Sequence, residues 1–399
     1  MTNLNLTIDS EKAITRLMRF LAIEGITGQE RAIAEDVVRA LIEAGVPKSA
    51  IRFDDANQRI PVPTQTGNII VNLPGTRPGP RLLFMCHLDT VPLGAGAKPV
   101  RKVDRIVPAG ETALGGDNRT GCAVLVTLAA TLMERKLPHP PLTLFFTVRE
   151  ESGLYGAKHV DPKDLHGPVF GFNFDGKCAT EICIGAVGAE RWQAEITGKA
   201  SHAGVHPEKG ISATMVMALA LTDVFRGGWF GKVVQGEKTG TSNVGRVGDA
   251  QGHSAGQATN VVTDFIRVNG ESRSHDLAFA SAITAAYRAA FEKAAGQVKD
   301  AQGATATVKF ESKLDYYPFR LSESDAVYQH AQKAIAHLGW PSVSRIANGG
   351  LDANWLVRHG IPTVTLGAGQ NEIHTKQEFV DLAEFARGCQ VALALATVE

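Results

Sequence analysis

Apolar residues recur every three or four positions through the first 45 residues, which is typical of amphipathic helices. They are Ile14, Leu17, Phe20 and Leu21 in a first segment and Ile33, Val37, Val38, Leu41 and Ile42 in a second. Gly25, Thr27 and Gly28 lie between the two segments and predict a turn. We therefore expect two helices at the start of the chain.

Short apolar runs bounded by Pro or Gly then alternate with helical stretches. The strand-like runs are 69–73, 82–86, 142–148, 169–174 and 363–366, and residues 122–133 form a helical run. Alternation of this kind favours an α/β domain with a mainly parallel sheet.

The middle of the chain has a different order of elements. Apolar and polar residues alternate from Trp192 to Ile196, as in a half-exposed strand. Further strands are expected at 243–247, 261–268 and 304–310, and helices at 212–225 and 277–295. The order β-α-β-β-α-β is that of a ferredoxin-like unit. The pattern therefore predicts a discontinuous domain, 1–185 and 315–399, with an inserted domain at 186–314.

Composition and charge disfavour several classes of protein. The 399 residues include 41 Lys and Arg and 41 Asp and Glu, which disfavours a nucleic-acid-binding protein held by a basic surface. No apolar run is long enough to span a membrane, and the N-terminal residues lack the basic and apolar regions of a secretory signal. The five cysteines form no disulfide framework or metal-binding clip. We expect a cytoplasmic protein that binds neither nucleic acid nor membrane.

Histidine and carboxylate residues follow the predicted strands and turns. They are His87, Asp89, Asp117, Glu150, Glu151, Asp175 and His374. Ligands bind beyond the carboxyl ends of the strands in open α/β sheets, so we expect these side chains to converge. Imidazole nitrogen and carboxylate oxygen are ligands of zinc, and also of manganese or cobalt. The pattern predicts a hydrolytic metal site.

A site with two metal ions needs a carboxylate that bridges them and a second carboxylate that takes a proton from water. The adjacent Glu150 and Glu151 suit this division, since one can coordinate while the other faces the water. Asp89 follows His87 closely enough to accept the second imidazole N–H, which would fix the tautomer of that ligand. The chain has no GxSxG elbow and no Walker motif, which disfavours a serine hydrolase or a P-loop enzyme.

The motifs of the chain resemble those of the two-zinc metallopeptidase family that contains peptidase T, carboxypeptidase G and aminoacylase. The motifs that carry the resemblance are HLDTVPLG, GGDNRTG, EESGLYGA, Asp175-Gly176, GGLDAN and the late His374, with SHAGVHPEKG, ATNVV and ESRSHD in the inserted domain. They follow the family order over nearly the whole chain and are most similar to peptidase T-like members. The resemblance implies a phosphorylase/hydrolase-like zinc-exopeptidase domain with an inserted ferredoxin-like α+β lid.

The resemblance also implies how two zinc ions would be held. His87 and Asp175 would hold one ion, and Glu151 and His374 the other. Asp117 would bridge the two ions, with a cis peptide bond after it.

The implied catalytic residues are Glu150 and Asp89. Glu150 would be the general base that takes a proton from water, and Asp89 would orient His87. In the lid, the resemblance implies that His202 donates to the oxyanion. Asn260 and Arg273 would hold the substrate backbone and carboxylate.

Three functions remain open from the sequence. The first is a peptidase T-like aminopeptidase that acts on short peptides. The second, with the same chemistry, is an N-acyl-amino-acid amidohydrolase or a carboxypeptidase. The third is a non-catalytic relative that binds peptide or metal. A homodimer formed through the lid is a further expectation, because an exposed strand edge there could pair across a two-fold axis.

Overall fold

The computed structural model describes residues 5–253, 255–256 and 258–398. Its helices are α1 (Ser10–Leu21), α2 (Arg31–Glu43), α3 (Ala56–Arg59), α4 (Gly116–Arg135), α5 (Tyr155–His159), α6 (Ala213–Arg226), α7 (Leu277–Gln297), α8 (Ala326–His337), α9 (Ala353–Arg358) and α10 (Leu382–Thr397). The two helices expected at the start of the chain are present as α1 and α2. Within the described ranges, no helix is both long enough and apolar enough to cross a membrane.

The strands overlap each of the runs expected from the sequence, and several further strands were not expected. They are β1 (Ile51–Phe53), β2 (Ile69–Leu73), β3 (Leu82–His87), β4 (Pro99–Arg101), β5 (Arg105–Pro108), β6 (Leu142–Thr147), β7 (Phe170–Phe174), β8 (Glu181–Ala186), β9 (Gly188–Thr197), β10 (Gly231–Gln235), β11 (Lys238–Gly248), β12 (Phe265–Ser274), β13 (Thr307–Tyr316), β14 (Phe319–Arg320), β15 (Val343–Ala347), β16 (Thr363–Leu366), β17 (Gln370–Asn371) and β18 (Phe379–Asp381).

The chain divides into two compact units. Unit 1 comprises 1–186 and 319–399, and unit 2 comprises 187–318. Each unit has a hydrophobic core of its own.

Unit 1 is built on a nine-stranded sheet in the order β1-β2-β6-β3-β7-β16-β8-β14, with β15 beside β8. Its four central strands, β6, β3, β7 and β16, are parallel to their neighbours within that group. Antiparallel pairs flank them on both sides. The sheet is therefore mixed, with the predicted parallel arrangement in its centre.

The central strands of unit 1 are mostly apolar and almost entirely buried, as expected of parallel strands with both faces of the sheet covered. Phe84 on β3 is fully buried, and its ring lies 5.4 Å from the ring of Phe172 and 6.4 Å from that of Phe174. A second sheet of unit 1, in the order β17-β18-β5-β4, was not expected from the sequence.

Unit 2 has a five-stranded antiparallel sheet in the order β10-β11-β12-β9-β13. Without β10, this is the strand order of the predicted ferredoxin-like unit. Helices α6 and α7 supply the other layer of the core. Trp192 on β9 packs against Tyr287 of α7 with 4.5 Å between ring centres. Gly270 on β12 leaves room for the indole, since a Cβ there would lie 2.2 Å from a Trp192 ring atom.

Truncation of the Phe84 ring tests the packing of the central sheet. We expect Phe84→Ala to lower the free energy of unfolding by about 3–5 kcal/mol, because it removes buried ring contacts and leaves a cavity. The control Phe53→Ala removes a ring that is 42% exposed on β1 and should cost less than about 1 kcal/mol. Urea unfolding followed by circular dichroism measures both variants. Equal losses would contradict the packing described here.

Candidate metal centre

Three neighbouring parallel strands deliver most of the candidate ligands. His87 is the last residue of β3, Glu150 and Glu151 come shortly after β6, and Asp175 comes directly after β7. The order of these strands in the sheet is β6-β3-β7, so their carboxyl ends lie side by side at one edge. The convergence expected from the sequence follows from this topology.

Asp117 lies between two histidines at the start of α4. Its Oδ1 is 2.9 Å from Nε2 of His87, and its Oδ2 is 3.2 Å from Nε2 of His374. The peptide bond between Asp117 and Asn118 is cis, which confirms that expectation. The two oxygens of one carboxylate thus face two different imidazoles, an arrangement suited to a ligand shared by two ions.

Two groups of side chains could each hold a metal ion, and they share Asp117. The groups are His87, Asp117 and Asp175, and Asp117, Glu151 and His374, with the ligand atoms of each group within 4.8 Å of one another. His87, Glu150 and Glu151 satisfy the same distance. The structure therefore brings together all five residues predicted as ligands, and this set of nitrogen and oxygen donors fits a divalent transition-metal ion.

Asp89 is fully buried and holds the turn that carries the two glutamates. Its Oδ1 accepts the backbone N–H of Glu150 at 3.0 Å, and its Oδ2 accepts that of Glu151 at 3.2 Å. Nδ1 of His87 lies 3.0 Å from the backbone oxygen of Asp89 and 3.4 Å from its carboxylate. Asp89 therefore contacts both the histidine, as expected from the sequence, and the backbone of the Glu150–Glu151 pair, which the sequence did not indicate.

Burial and mutual repulsion shift the ionisation of the carboxylates. Burial raises the pKa of Glu150 well above its usual range, and Glu151 and Asp175 add to the effect. Burial and the neighbouring Asp117 raise the pKa of Glu151 to about 7. Burial alone would raise the pKa of Asp117, but hydrogen bonds to His374 and His87 hold it well below its usual range.

The pKa values of the two histidines are also raised, which favours their charged form. Hydrogen bonds to Asp117 and Glu151 raise the pKa of His374 to about 10. Burial alone would lower the pKa of His87, but Asp175, Glu150 and Asp117 raise it well above its usual range. Without a metal ion, His374 is therefore protonated at neutral pH and serves as a cation of the cluster, and the raised pKa of His87 favours its charged form.

Two buried carboxylates near the site were missed by the sequence analysis. Glu378 accepts backbone N–H groups from the loop that carries Asp117, and Glu30 accepts the backbone N–H of Arg149 at 3.1 Å. Each is a single acidic residue, and such residues are usually exposed. No local pattern of the sequence marks them.

The residues predicted to bind substrate all lie in unit 2. Nδ1 of His202 accepts the backbone N–H groups of Gly204 and Val205, both at 3.2 Å. Because this nitrogen accepts, a neutral His202 carries its hydrogen on Nε2. The backbone oxygen of Asn260 accepts the N–H of Ala203 at 2.8 Å, so His202 and Asn260 lie on adjoining segments.

Arg273 is also in unit 2, on β12, and is already paired. Its Nε lies 2.9 Å from Oε1 of Glu271, and its Nη2 donates to Oε2 of the same residue at 3.0 Å. Residues i and i+2 of a strand share one face of the sheet, which explains why these two side chains meet. The guanidinium predicted to bind a substrate carboxylate thus contacts a carboxylate of its own strand.

Comparison with known families agrees with this geometry. The sequence model that describes peptidase family M20/M25/M40 matches residues 83–397 of this chain. The chain belongs to this family.

Several relatives of this M20/M25/M40 protein are similar to it over nearly its whole length. It is 31% identical over 389 residues to the uncharacterized protein YqjE of Bacillus subtilis (strain 168), covering 97% of this chain and 98% of that protein. The crystal structure of aminopeptidase PepT from Bacillus cereus matches with a TM-score of 0.79 and 31% identity over 98% of both chains. A tripeptidase from Staphylococcus aureus matches with a TM-score of 0.85 and 26% identity over 98% of this chain and 99% of that one. The predicted family and fold class are confirmed.

The raised pKa values of the two histidines in this M20/M25/M40 protein lead to a prediction about metal binding. A histidine must be neutral to ligate a metal, so binding at pH 8 should release about one proton per chain from His374, and the raised pKa of His87 should add to that release. Calorimetric titration of the metal-free protein with zinc, in buffers of different ionisation enthalpy, measures this release. His374→Ala should release about one proton fewer. Equal release by the variant and the unchanged protein would contradict a ligand role for His374.

Proposed function

We propose that the chain is an aminopeptidase that hydrolyses short peptides with two divalent metal ions, zinc in the first place and cobalt or manganese as substitutes. The observation that carries the proposal is the position of Asp117, whose two oxygens face His87 and His374 separately. In the proposed assignment, Asp175 completes the site of His87 and Glu151 completes the site of His374. Bound divalent ions would polarise the scissile carbonyl and lower the pKa of a water molecule.

Glu150 is the proposed general base and acid. Its side chain is 8% exposed, and burial raises its pKa, which suits a group that must both accept and donate a proton near neutral pH. The two bonds from Asp89 to the turn fix the backbone that carries it. In the proposed reaction Glu150 accepts a proton from water and then donates it to the leaving amine. Asp89 keeps His87 and the glutamate turn in place.

Residues of unit 2 are proposed to bind the substrate. His202 carries an Nε2–H in its neutral form, which can donate to the negative oxygen that develops during hydrolysis. Asn260, on the adjoining segment, is the proposed contact to the substrate backbone. Arg273 is the proposed partner of the substrate carboxylate. A homodimer formed through unit 2 stays a prediction, which analytical ultracentrifugation tests.

The choice of an aminopeptidase over other amide hydrolases rests on the relatives. Two solved structures that match over nearly the whole chain are described as an aminopeptidase and a tripeptidase.

The cysteines bear on the compartment of the proposed enzyme. They form no disulfide bonds, including Cys86 and Cys122, whose sulfur atoms lie 3.8 Å apart. Unbonded cysteines are typical of a reducing compartment, which supports a cytoplasmic enzyme.

A panel of substrates tests the proposed activity. Zinc-loaded protein is offered unblocked dipeptides and tripeptides, N-acetyl amino acids and N-blocked dipeptides, and the released products are separated by chromatography. We expect release of the N-terminal residue from the unblocked peptides only, because an aminopeptidase recognises the free amino group. Cleavage of only the blocked substrates would instead assign the chain to the deacylases or carboxypeptidases, with the same metal chemistry.

Replacement of the proposed base separates catalysis from binding. Glu150→Gln keeps the size of the side chain but cannot accept the proton, so kcat should fall at least about 100-fold. The zinc content should stay unchanged, because the proposed ligands remain. Glu35→Gln, at an exposed position of α2, is the matched control and should keep full activity. Full activity of the Glu150 variant would show that the assigned base is wrong.

A further inference from the structure

Glu378 makes three hydrogen bonds to the loop that precedes and includes Asp117. Its Oε2 accepts the backbone N–H groups of Leu114 at 2.7 Å and Gly115 at 2.8 Å. Its Oε1 accepts the N–H of Asp117 at 3.0 Å. The residue is 1% exposed, so these bonds replace its hydration almost completely. A carboxylate in this position satisfies three backbone donors, which are costly to leave unpaired when buried.

Glu378 also lies on the segment that carries the other end of the candidate site. It follows His374 by four residues and directly precedes β18, where Val380 pairs with Ile106 of β5. The short sheet therefore anchors the backbone of Glu378. One side chain joins the loop of Asp117 to the loop of His374, and these two residues belong to the same candidate ligand group.

The double glycine before Asp117 allows this contact. A Cβ on Gly116 would lie 2.8 Å from a methyl carbon of Val380 and 3.2 Å from Oε1 of Glu378. The loop could not approach Glu378 and β18 so closely with a side chain at that position. The two glycines of the GGD sequence therefore leave space for a buried carboxylate, Glu378, which lies 261 residues after Asp117 in the chain.

We propose that Glu378 is a positioning residue for the metal centre. It holds Asp117 so that the two oxygens of that carboxylate face His87 and His374 separately. It acts through the backbone of Asp117 and touches neither metal nor substrate. This role rests on the metal centre proposed above. Residues of this kind commonly change metal affinity about 10- to 100-fold when they are replaced.

Glu378→Gln is the most direct test. A glutamine keeps the length of the side chain but has only one oxygen, so at least one of the three N–H groups would face an N–H₂ donor. Zinc affinity is measured at 20 °C by competition with a fluorescent chelator. We expect affinity to fall about 10- to 100-fold. At saturating zinc, kcat for an unblocked tripeptide should fall while KM stays within about threefold.

A matched control distinguishes positioning from a general loss of stability. Asp300 in unit 2 is 6% exposed and accepts the backbone N–H groups of Gln302 at 3.0 Å and Ala304 at 2.9 Å. Asp300→Asn keeps one oxygen for these N–H groups and removes the carboxylate oxygen that pairs with Nζ of Lys199 at 2.9 Å, outside the candidate ligand groups. It should lower the thermal stability and leave zinc affinity unchanged. Thermal unfolding of both metal-free variants by circular dichroism confirms that the comparison is made on folded protein.

The outcomes separate this inference from the proposed function. If the unchanged protein binds zinc and Glu378→Gln binds it equally well, Glu378 has no positioning role and the metal centre stands. If the unchanged protein binds no zinc, both proposals are wrong. If the glutamine variant does not fold, Glu378→Asp takes its place. Aspartate keeps the charge but is one methylene shorter, so it should weaken zinc binding in the same direction, and unchanged affinity would overturn the role.

Discussion

The crowding of buried negative charge beside β3, β6 and β7 is the constraint on which the rest of the site depends. Burial raises the pKa of Glu150, Glu151 and Asp175, and each of these carboxylates has another one as a neighbour. Such a cluster needs compensating cations. In the metal-free protein, His374, with a pKa of about 10, is one such cation, and the same carboxylates raise the pKa of His87. Divalent ions would supply more charge at the same place, so the groups that destabilise the empty cluster are the ones suited to hold metal.

A separate set of carboxylates fixes the main chain of the ligand loops. Three consecutive N–H groups, from Arg149 to Glu151, donate to Glu30 and Asp89, and the loop before Asp117 donates to Glu378. The backbone is thus held without using the ligand side chains. These bonds place still more negative charge in the interior, and the buried guanidinium of Arg119 interacts favourably with both Glu30 and Asp89. The ligands and the residues that hold them therefore form one electrostatic system.

The sequence predicted the parts of this system that depend on local pattern. His87, the Glu150–Glu151 pair and Asp175 were found because buried strands are easy to recognise and their ends share one edge of the sheet. The antiparallel pairing at the flanks, the strand β8, the sheet of β17, β18, β5 and β4, and Glu378 were not found. The strands of that small sheet have two to four residues and too little periodicity to recognise, and the bonds of Glu378 join residues more than 260 positions apart. Such contacts exist only in the folded chain.

The pairing of Arg273 with Glu271 bears on how a substrate would be selected. A substrate carboxylate that binds the Nε and Nη2 side of this guanidinium must replace Glu271, whose two oxygens already face it. The exchange of one carboxylate for another on the same arginine gains little free energy, because the bonds broken and formed are alike. In its proposed role, Arg273 would therefore add little binding free energy through this side of the guanidinium.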